Sequence, residues 1–431
     1  MNSYWTIIAD DFTGAGDSAV QFGSVGKPVR LLLDAPAENI RSRILAAIVV
    51  DTETRFLSAD EAYIRVAAVT LDLRKAGSHS FYKKIDSTLR GNPADEIAAV
   101  MDAAGYRFAV VAPSAPLNKR TVVNGICYVD GQPLSATAAA HDPFTPVTES
   151  RIANILERRF PGAVRELRLD LVRAGKNALE SRVAEGISNG ARVFVADAET
   201  IADLKAIAEL SSQVGVLFVG SSGLADAIAK KDAGQQSSLR LSLPRFPRGK
   251  TLFVNGSVTP TSNIQCECLL RLGGVFEITV NSMSALSAPS AERKRLLDLL
   301  AKAPSRNSLL IRTSRPDGPE ANDLSIKEAG VAISCFLGDL ALEAARLHNV
   351  RFLFASGGDT AARIMKVLGA ESIDFVSEIF PGLPFGYFHS VALGRRIYFI
   401  SKSGGFGDQD AMAKSLTMVS PAFISIKEQR S

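Results

Sequence analysis

Tryptophan, cysteine and histidine are scarce: the 431 residues hold one Trp, four Cys and four His. Cys127, Cys266, Cys268 and Cys335 are scattered, and no His pair lies near them. A zinc site needs about four ligands at workable spacing, so none is expected. Cys266 and Cys268 point to different faces of an expected helix, and all the thiols read as structural ones in a reducing cytoplasm. His141, His348 and His389 stand alone and read as structural too. No apolar run approaches the ~20 residues that span a bilayer. The first residues show no charged segment followed by an apolar one, so no secretion signal is expected. The net charge is only +4, which argues against a general nucleic-acid binder with its concentrated basic face.

What is present describes a globular enzyme or binding protein, with 46% hydrophobic and 22% charged residues. The length favours two domains. Short apolar runs at Ile7–Ala9, Val29–Leu33, Ala46–Val50, Phe81–Ile85, Phe108–Ala112, Val193–Ala196 and Val216–Val219 alternate with amphipathic stretches at Ala59–Lys75, Pro93–Ala104 and Thr200–Ser211. The pattern stops at 232–250, which is polar and then Pro-rich. It resumes with Thr251–Asn255, a helix starting near Pro260, and strands at Val275–Val280, Leu309–Arg312, Phe352–Ala355 and Ile397–Ser401. The expected fold is α/β with two domains, 1–235 and 250–431. Each has a mainly parallel sheet flanked by helices, and the active site is expected in the interdomain cleft.

Polar residues gather at the expected strand ends. Ile7–Ala9 runs into Asp10 and Asp11, then a Gly-rich turn, then Asp17. Asp51 and Arg55 follow the third strand, and Tyr82-Lys83-Lys84-Ile85-Asp86-Ser87-Thr88-Leu89-Arg90 runs from a strand into a charged loop. Adjacent lysines in a strand alternate faces, so only one of Lys83 and Lys84 need point inward. Arg55 and a lysine can hold an acid, with Asp11 and Asp86 receiving its hydroxyls. The plainer reading leaves Lys83 and Arg90 on the surface and Asp86 as a cap for the helix after Pro93. Residues 112–125 turn on prolines and enter a hairpin ending at Tyr128-Val-Asp-Gly, which could lid the cleft through Lys119 or Arg120.

The second half repeats one design: a strand, then glycines with Ser or Thr. Asn255-Gly256-Ser257, Ser356-Gly357-Gly358-Asp359-Thr360 and Ser403-Gly404-Gly405 all fit it. Glycines let a backbone approach a phosphate, and the next helix N-terminus offers free N–H groups. Asp359 or Asp408 could meet Mg²⁺ through water. None of these loops ends in the Gly-Lys-Ser/Thr of a P-loop or forms a Gly-x-Gly-x-x-Gly fingerprint.

In order, these motifs resemble the four-carbon acid sugar kinases. The matching pieces are Ile8-Ala-Asp-Asp-Phe-Thr-Gly-Ala, Lys84-Ile-Asp-Ser-Thr-Leu-Arg-Gly-Asn, Pro116 through Gly125, Asn255-Gly-Ser, Ser356-Gly-Gly-Asp-Thr and Lys402-Ser-Gly-Gly-Phe-Gly. The resemblance implies an amino-terminal sugar-acid domain, a carboxyl-terminal nucleotide domain and ATP-dependent phosphorylation of a tetronate at its terminal hydroxyl. It implies substrate contacts from Asp11, Arg55, Lys83, Lys84, Ile85 and Asp86. It also implies ATP contacts from Ser257, Gly357, Gly358, Asp359, Thr360, Gly404 and Gly405. The Lys-Lys-Ile-Asp-Ser-Thr-Leu-Arg-Gly string looks more like the threonate and erythronate kinases than the 3-oxo-tetronate branch. Pro116-Leu-Asn-Lys-Arg departs from the family's Gly-Arg wording.

In-line transfer asks for an aligned hydroxyl and a neutralised phosphate charge. Asp86 is the first candidate for the carboxylate that accepts the hydroxyl proton, and Asp11 the second. Mg²⁺ is expected, held mostly by phosphate oxygens and water. The expected partner is a small acid sugar, with neither nucleic acid nor membrane, and self-association is left open. Gly14-Ala15-Gly16-Asp17 resembles the anion-hole string of ribokinases, with Asp17 as base, but only thirteen residues precede it here. A two-domain solute-binding protein is the non-catalytic alternative. No Gly-x-Ser-x-Gly elbow supports a hydrolase.

Overall fold

A computed structural model describes residues 4–23, 28–33, 45–142, 144–212, 215–234, 247–314, 326–380 and 382–419. The chain divides into two compact units, Met1–Leu241 and Ser242–Ser431. Of the expected linker, 235–246 lie outside the described residues.

Unit one contains β1 (Trp5–Ala9), β2 (Val29–Leu32), β3 (Ala47–Asp51), β4 (Ser80–Lys84), β5 (Phe108–Ala112), β6 (Arg120–Val123), β7 (Ile126–Val129), β8 (Gln132–Pro133), β9 (Val164–Leu167), β10 (Val193–Ala196) and β11 (Val216–Gly220). Its main sheet has the order β2-β3-β1-β4-β11-β5-β10-β9. Every pairing in it is parallel. β5, β10 and β11 are buried at each position and apolar almost throughout, as strands covered on both faces must be. Helix Ala59–Lys75 packs on Pro93–Ala104. Separately, Phe12–Gly23 packs on Ser222–Ala233, which packs on Ile201–Ala208.

Local signals start and stop these helices. Ser58 and Glu61 form a capping box at Ala59, with Asp60 and Glu61 in the first turn and Arg74 and Lys75 in the last. Pro93 opens the next helix and Gly105, at φ +77°, closes it. β6, β7 and β8 make a separate antiparallel meander. Its turns are Asn124-Gly125 (φ +53° and +74°) and Asp130-Gly131 (φ +50° and +79°), the left-handed pairs that two-residue hairpins require.

Strand order sets the place of the first site. β1 lies between β3 and β4, with Ala9 level with both Asp51 and Lys84. The chain leaves β1 toward β2 and β3, then crosses to β4 on the other side. That reversal opens a crevice at the carboxyl ends of the strands. Asp10-Asp11, Thr52–Arg55 and Ile85-Asp86 follow directly from those ends.

Unit two contains β12 (Lys250–Asn255), β13 (Val275–Val280), β14 (Ser308–Thr313), β15 (Val350–Ser356), β16 (Ser372–Phe380), β17 (Leu383–Ser390) and β18 (Arg395–Lys402). The order is β13-β14-β12-β15-β18-β17-β16. The first five strands in that order pair in parallel, while β17 is antiparallel to both β18 and β16. Phe352 and Phe385 stack on Tyr398 with centroids 5.3 and 6.1 Å away. Each such buried ring contributes about 1.5–3 kcal/mol.

Candidate active site

In unit one the backbone places the charges before any side chain does. Thr52 N donates to Ala9 O at 2.9 Å, and Thr54 N and Arg55 N donate to Asp10 O at 3.0 and 3.2 Å. Asn92 Nδ2 ties down Thr54 O and Leu57 O at 3.3 and 2.9 Å. Gly91, at φ +86°, lets its loop pass close to Arg55: a Cβ there would sit 3.3 Å from the Arg55 Cα.

Arg55 is thereby delivered to two carboxylates. Its Nε meets Asp10 Oδ2 at 2.7 Å, and its terminal nitrogens meet Asp11 at 2.6 and 2.7 Å. Asp86 Oδ1 lies 3.8 Å away. The guanidinium the sequence offered as a grip for an acid thus holds protein carboxylates here. Asp86 receives Arg90 Nε at 2.9 Å, Arg90 Nη2 at 3.1 Å and Thr88 N at 3.1 Å, and the Thr88 hydroxyl also donates to it. It is therefore not a helix cap; Asn92 holds that position. Arg90 reaches on to Asp142 at 3.4 Å.

Burial alone would raise the Asp86 pKa, but Arg90 and Arg55 outweigh it and hold the carboxyl well below the usual range. Burial of Asp10 is likewise outweighed, by Arg55, Lys83 and Lys84, and its pKa lies below the ordinary value. Asp51 goes the other way: burial, with repulsion from Asp11 and Asp10, lifts it well above.

The two lysines of β4 are both buried, on opposite faces. Lys83, 0% exposed, pairs with Glu96 Oε2 at 2.6 Å and donates to Ile8 O and Lys84 O. Lys84 Nζ donates to Ile85 O at 2.9 Å and lies over Gly14. A Cβ at Gly14 would stand 2.6 Å from both Lys84 Nζ and Asp11 Oδ1. Ile85 contributes backbone, its N–H going to Gly220 O at 2.9 Å. The expected Gly-rich turn after Asp11 is instead the first turn of helix Phe12–Gly23, which includes Asp17. Gly14 serves close approach within a helix, not a turn.

Asp10, Asp11, Arg55, Lys84 and Asp86 therefore meet at one crevice, with Arg90 bracing it. Sequence reasoning passed over Glu96, which stands in the first turn of a helix and reads as an ordinary dipole partner. It also gave Arg90 no role beyond the plainer surface reading, although the four-residue spacing from Asp86 was a signal.

In unit two the three glycine loops are hydrogen-bonded together. Gly256 N donates to Ser356 O at 3.1 Å and Gly357 N to Lys402 O at 3.0 Å. Thr259 Oγ1 and Ser262 Oγ donate to Gly404 O at 2.9 and 2.7 Å. Ser257 Oγ lies 3.1 Å from Thr259 Oγ1. A Cβ on Gly404 would fall 2.1 Å from Ser257 Oγ, and one on Gly256 would fall 2.0 Å from Thr360 Oγ1. Gly357 sits at φ +105°, open to few residues besides glycine, and caps helix Gly358–Val367. Ser257, Gly357, Thr360 and Gly404 thus share one floor. Asp359 is exposed on the first turn, and a Cβ on Gly405 would face open space. The N-terminus of helix Gly358–Val367, with the Ser257 and Thr360 hydroxyls beside it, suits an anion.

Two family models match the chain, one within each unit. A family model described as the sugar-binding N-terminal domain matches residues 5–228, and one described as the nucleotide-binding C-terminal domain matches 252–412. The chain is 32% identical to a D-threonate kinase of Salmonella typhimurium over 424 residues, covering 95% of this chain and 97% of that one. It is 29% identical to a 3-oxo-tetronate kinase of Pseudomonas fluorescens over 420 residues, covering 95% of each. Among solved structures, a Haemophilus influenzae protein matches with a TM-score of 0.75 and 24% identity, covering 96% of this chain and 100% of that one. A Salmonella typhimurium LT2 protein matches at 0.80 and 24%, covering 96% and 98%. These two structures establish likeness of fold.

Proposed function

The chain belongs to the four-carbon acid sugar kinase family, and we propose that it phosphorylates the terminal hydroxyl of D-threonate or D-erythronate with Mg·ATP as donor. The observation that carries this reading is the cluster of buried Arg55 and Lys84 with half-buried Asp11 and Asp86 at the strand ends of unit one. It offers a cation for a carboxylate and carboxylates for hydroxyls, the two kinds of group a tetronate has. Unit one is proposed as the acid-sugar domain and unit two as the nucleotide domain.

Lys84 is proposed to meet the substrate carboxylate, since Arg55 already has three short contacts to Asp10 and Asp11. Arg55 then fixes Asp11, and Lys83 with Glu96 supports the strand from the opposite face. Asp86 is proposed to accept the proton of the attacking hydroxyl. Its low pKa keeps it ionised at neutral pH, and Arg90 and Thr88 fix its direction. Low basicity is tolerable because the transition state is loose and alignment contributes most. ATP is proposed to lie on Ser257, Gly357 to Thr360 and Gly404–Gly405, where the glycine cradle and the helix N-terminus fit a polyphosphate. Mg²⁺ would neutralise phosphate charge. Its ligands are proposed to be mostly phosphate oxygens and water.

The test is coupled ADP release with Mg·ATP against D- and L-threonate, D- and L-erythronate and 3-oxo-tetronates. Turnover confined to threonate or erythronate is expected. Turnover confined to a 3-oxo acid would move the chain to the other branch, and none at all would refute the kinase reading. Asp86→Asn is expected to lower kcat at least ~10²-fold. Near-normal turnover with unchanged KM would remove Asp86 as the base.

A further inference from the structure

Lys402 closes β18 and is 1% exposed. Its Nζ donates to Gly404 O at 2.9 Å and to Ser262 Oγ and Ser356 Oγ, each at 3.2 Å. One acceptor lies in the loop after β18, one ends β15, and one stands in the first turn of helix Pro260–Arg271, which follows β12. All three are neutral. Lys83, equally buried, has Glu96 as its counterion; among the described residues Lys402 has no carboxylate in ion-pair range, and the single titratable side chain acting on it is Cys266. A buried ammonium without a counterion is costly unless a ligand brings one.

We propose that Lys402 is a positioning residue for the phosphate donor: its ammonium ties the glycine loops into one floor and supplies the positive charge that the bound polyphosphate balances. The inference rests on unit two being the nucleotide domain. Burial lowers the Lys402 pKa to about 8. The groups around it leave that charge uncompensated. On the helix after β12, the Cys266 thiol is pushed by burial up to about 11 and is neutral at pH 8. Glu267 and Glu277 are held by Arg312. In the segment after β18, Asp408 and Asp410 pair with Lys414. Asp359, on the helix after β15, is exposed. An arriving polyphosphate therefore raises the Lys402 pKa, and binding near pH 8 takes up a proton. By linkage, affinity falls as pH rises above about 8, by up to about tenfold per unit.

The experiment is calorimetric titration of the full chain with Mg·ADP and with adenosine at pH 7 and pH 9. At pH 8 it is repeated in two buffers of different ionisation enthalpy. Wild type is expected to bind Mg·ADP about tenfold more weakly at pH 9 than at pH 7 and to take up about half a proton at pH 8. Lys402→Met is expected to bind Mg·ADP at least about tenfold more weakly at pH 7, without proton uptake and with adenosine affinity changed less than about twofold. Lys402→Arg should retain its affinity at pH 9. Lys402→Met that binds Mg·ADP like wild type, or loses adenosine and Mg·ADP equally, would overturn the proposal. Absence of proton uptake by wild type would do the same even if Lys402→Met failed to fold. Wild type that binds no Mg·ADP would overturn the nucleotide reading itself and this inference with it, whereas binding that is indifferent to Lys402 leaves that reading standing.

Discussion

Replacing Arg55 by methionine keeps much of its length and apolar bulk but leaves Asp10 and Asp11 without their shared cation. Three contacts of 2.6 to 2.7 Å disappear, together with the longer attraction to Asp86 at 3.8 Å. Charge-assisted hydrogen bonds contribute about 1.5–3 kcal/mol each, a gross loss of about 4.5–9 kcal/mol. Part returns when water or a proton reaches the freed carboxylates, so the net expectation is the ~3–5 kcal/mol of a broken buried pair. The pH dependence follows from the direction of the shifts. Asp10 and Asp86 have folded pKa values below the ordinary 3.8. Their contribution is therefore complete above that value and lost as pH falls through their folded values. In the variant Asp10 loses the largest charge that offsets its burial and titrates higher, so acid relieves the variant first. Urea unfolding followed on Trp5, the single tryptophan and part of β1, reads both arms. The deficit should be about 3–5 kcal/mol at pH 7 and at least about 1 kcal/mol smaller near pH 4.5. Arg55→Lys should lose about 1–2 kcal/mol, keeping charge but not the fork. A deficit under about 1 kcal/mol, or one equal at both pH values, would refute the argument that Arg55 is the counterion on which the cluster depends.

Two further substitutions separate site from scaffold. Gly14→Ala places a methyl 2.6 Å from Asp11 Oδ1 and Lys84 Nζ while improving helix propensity by about 0.5–1 kcal/mol. Its kcat/KM on the acid should fall about 10²-fold with Tm nearly unchanged, and parallel losses of both would show that the glycine serves stability instead. Lys83→Met and Glu96→Leu should each cost about 3–5 kcal/mol, yet the double variant should recover at least half of the summed loss in urea unfolding, because no unpaired charge remains. Additive losses would mean that the two groups do not form a private pair.

The strands were legible wherever they are buried on both faces. Phe108–Ala112 and Val193–Ala196 were read with their observed bounds, and Val216–Gly220 within one residue. β9, β16 and β17 were not. β9 is an edge strand, half-exposed at its middle residues, so it shows no continuous apolar run. β16 buries only alternate positions at its start and none fully toward its end, which resembles a loop when read alone. β17 carries Pro384 and Gly386, residues that argue against a strand until the partner is known; a Cβ on Gly386 would meet the Asp374 carbonyl at 2.5 Å.

The lysine pair shows where pattern reasoning reaches its limit. A period of two sends Lys83 and Lys84 to opposite faces, so by pattern alone only one need face inward. In a sheet covered on both sides, both faces are interior, and both ammoniums are buried. What distinguishes them is the partner. Lys83 has a carboxylate thirteen residues on, in the first turn of the helix that follows β4. Lys84 has a backbone carbonyl and a glycine that leaves space above it. Lys83 is committed to Glu96 and can only support the strand, whereas Lys84, which donates to a backbone carbonyl and faces Asp11 across Gly14 without a direct ion pair among the described residues, is the one that can take up an anion. Lys402 follows the same rule in unit two, with three neutral acceptors beneath loops suited to phosphate. A charged residue in a buried strand therefore points to function when it has no direct ion pair among the described residues.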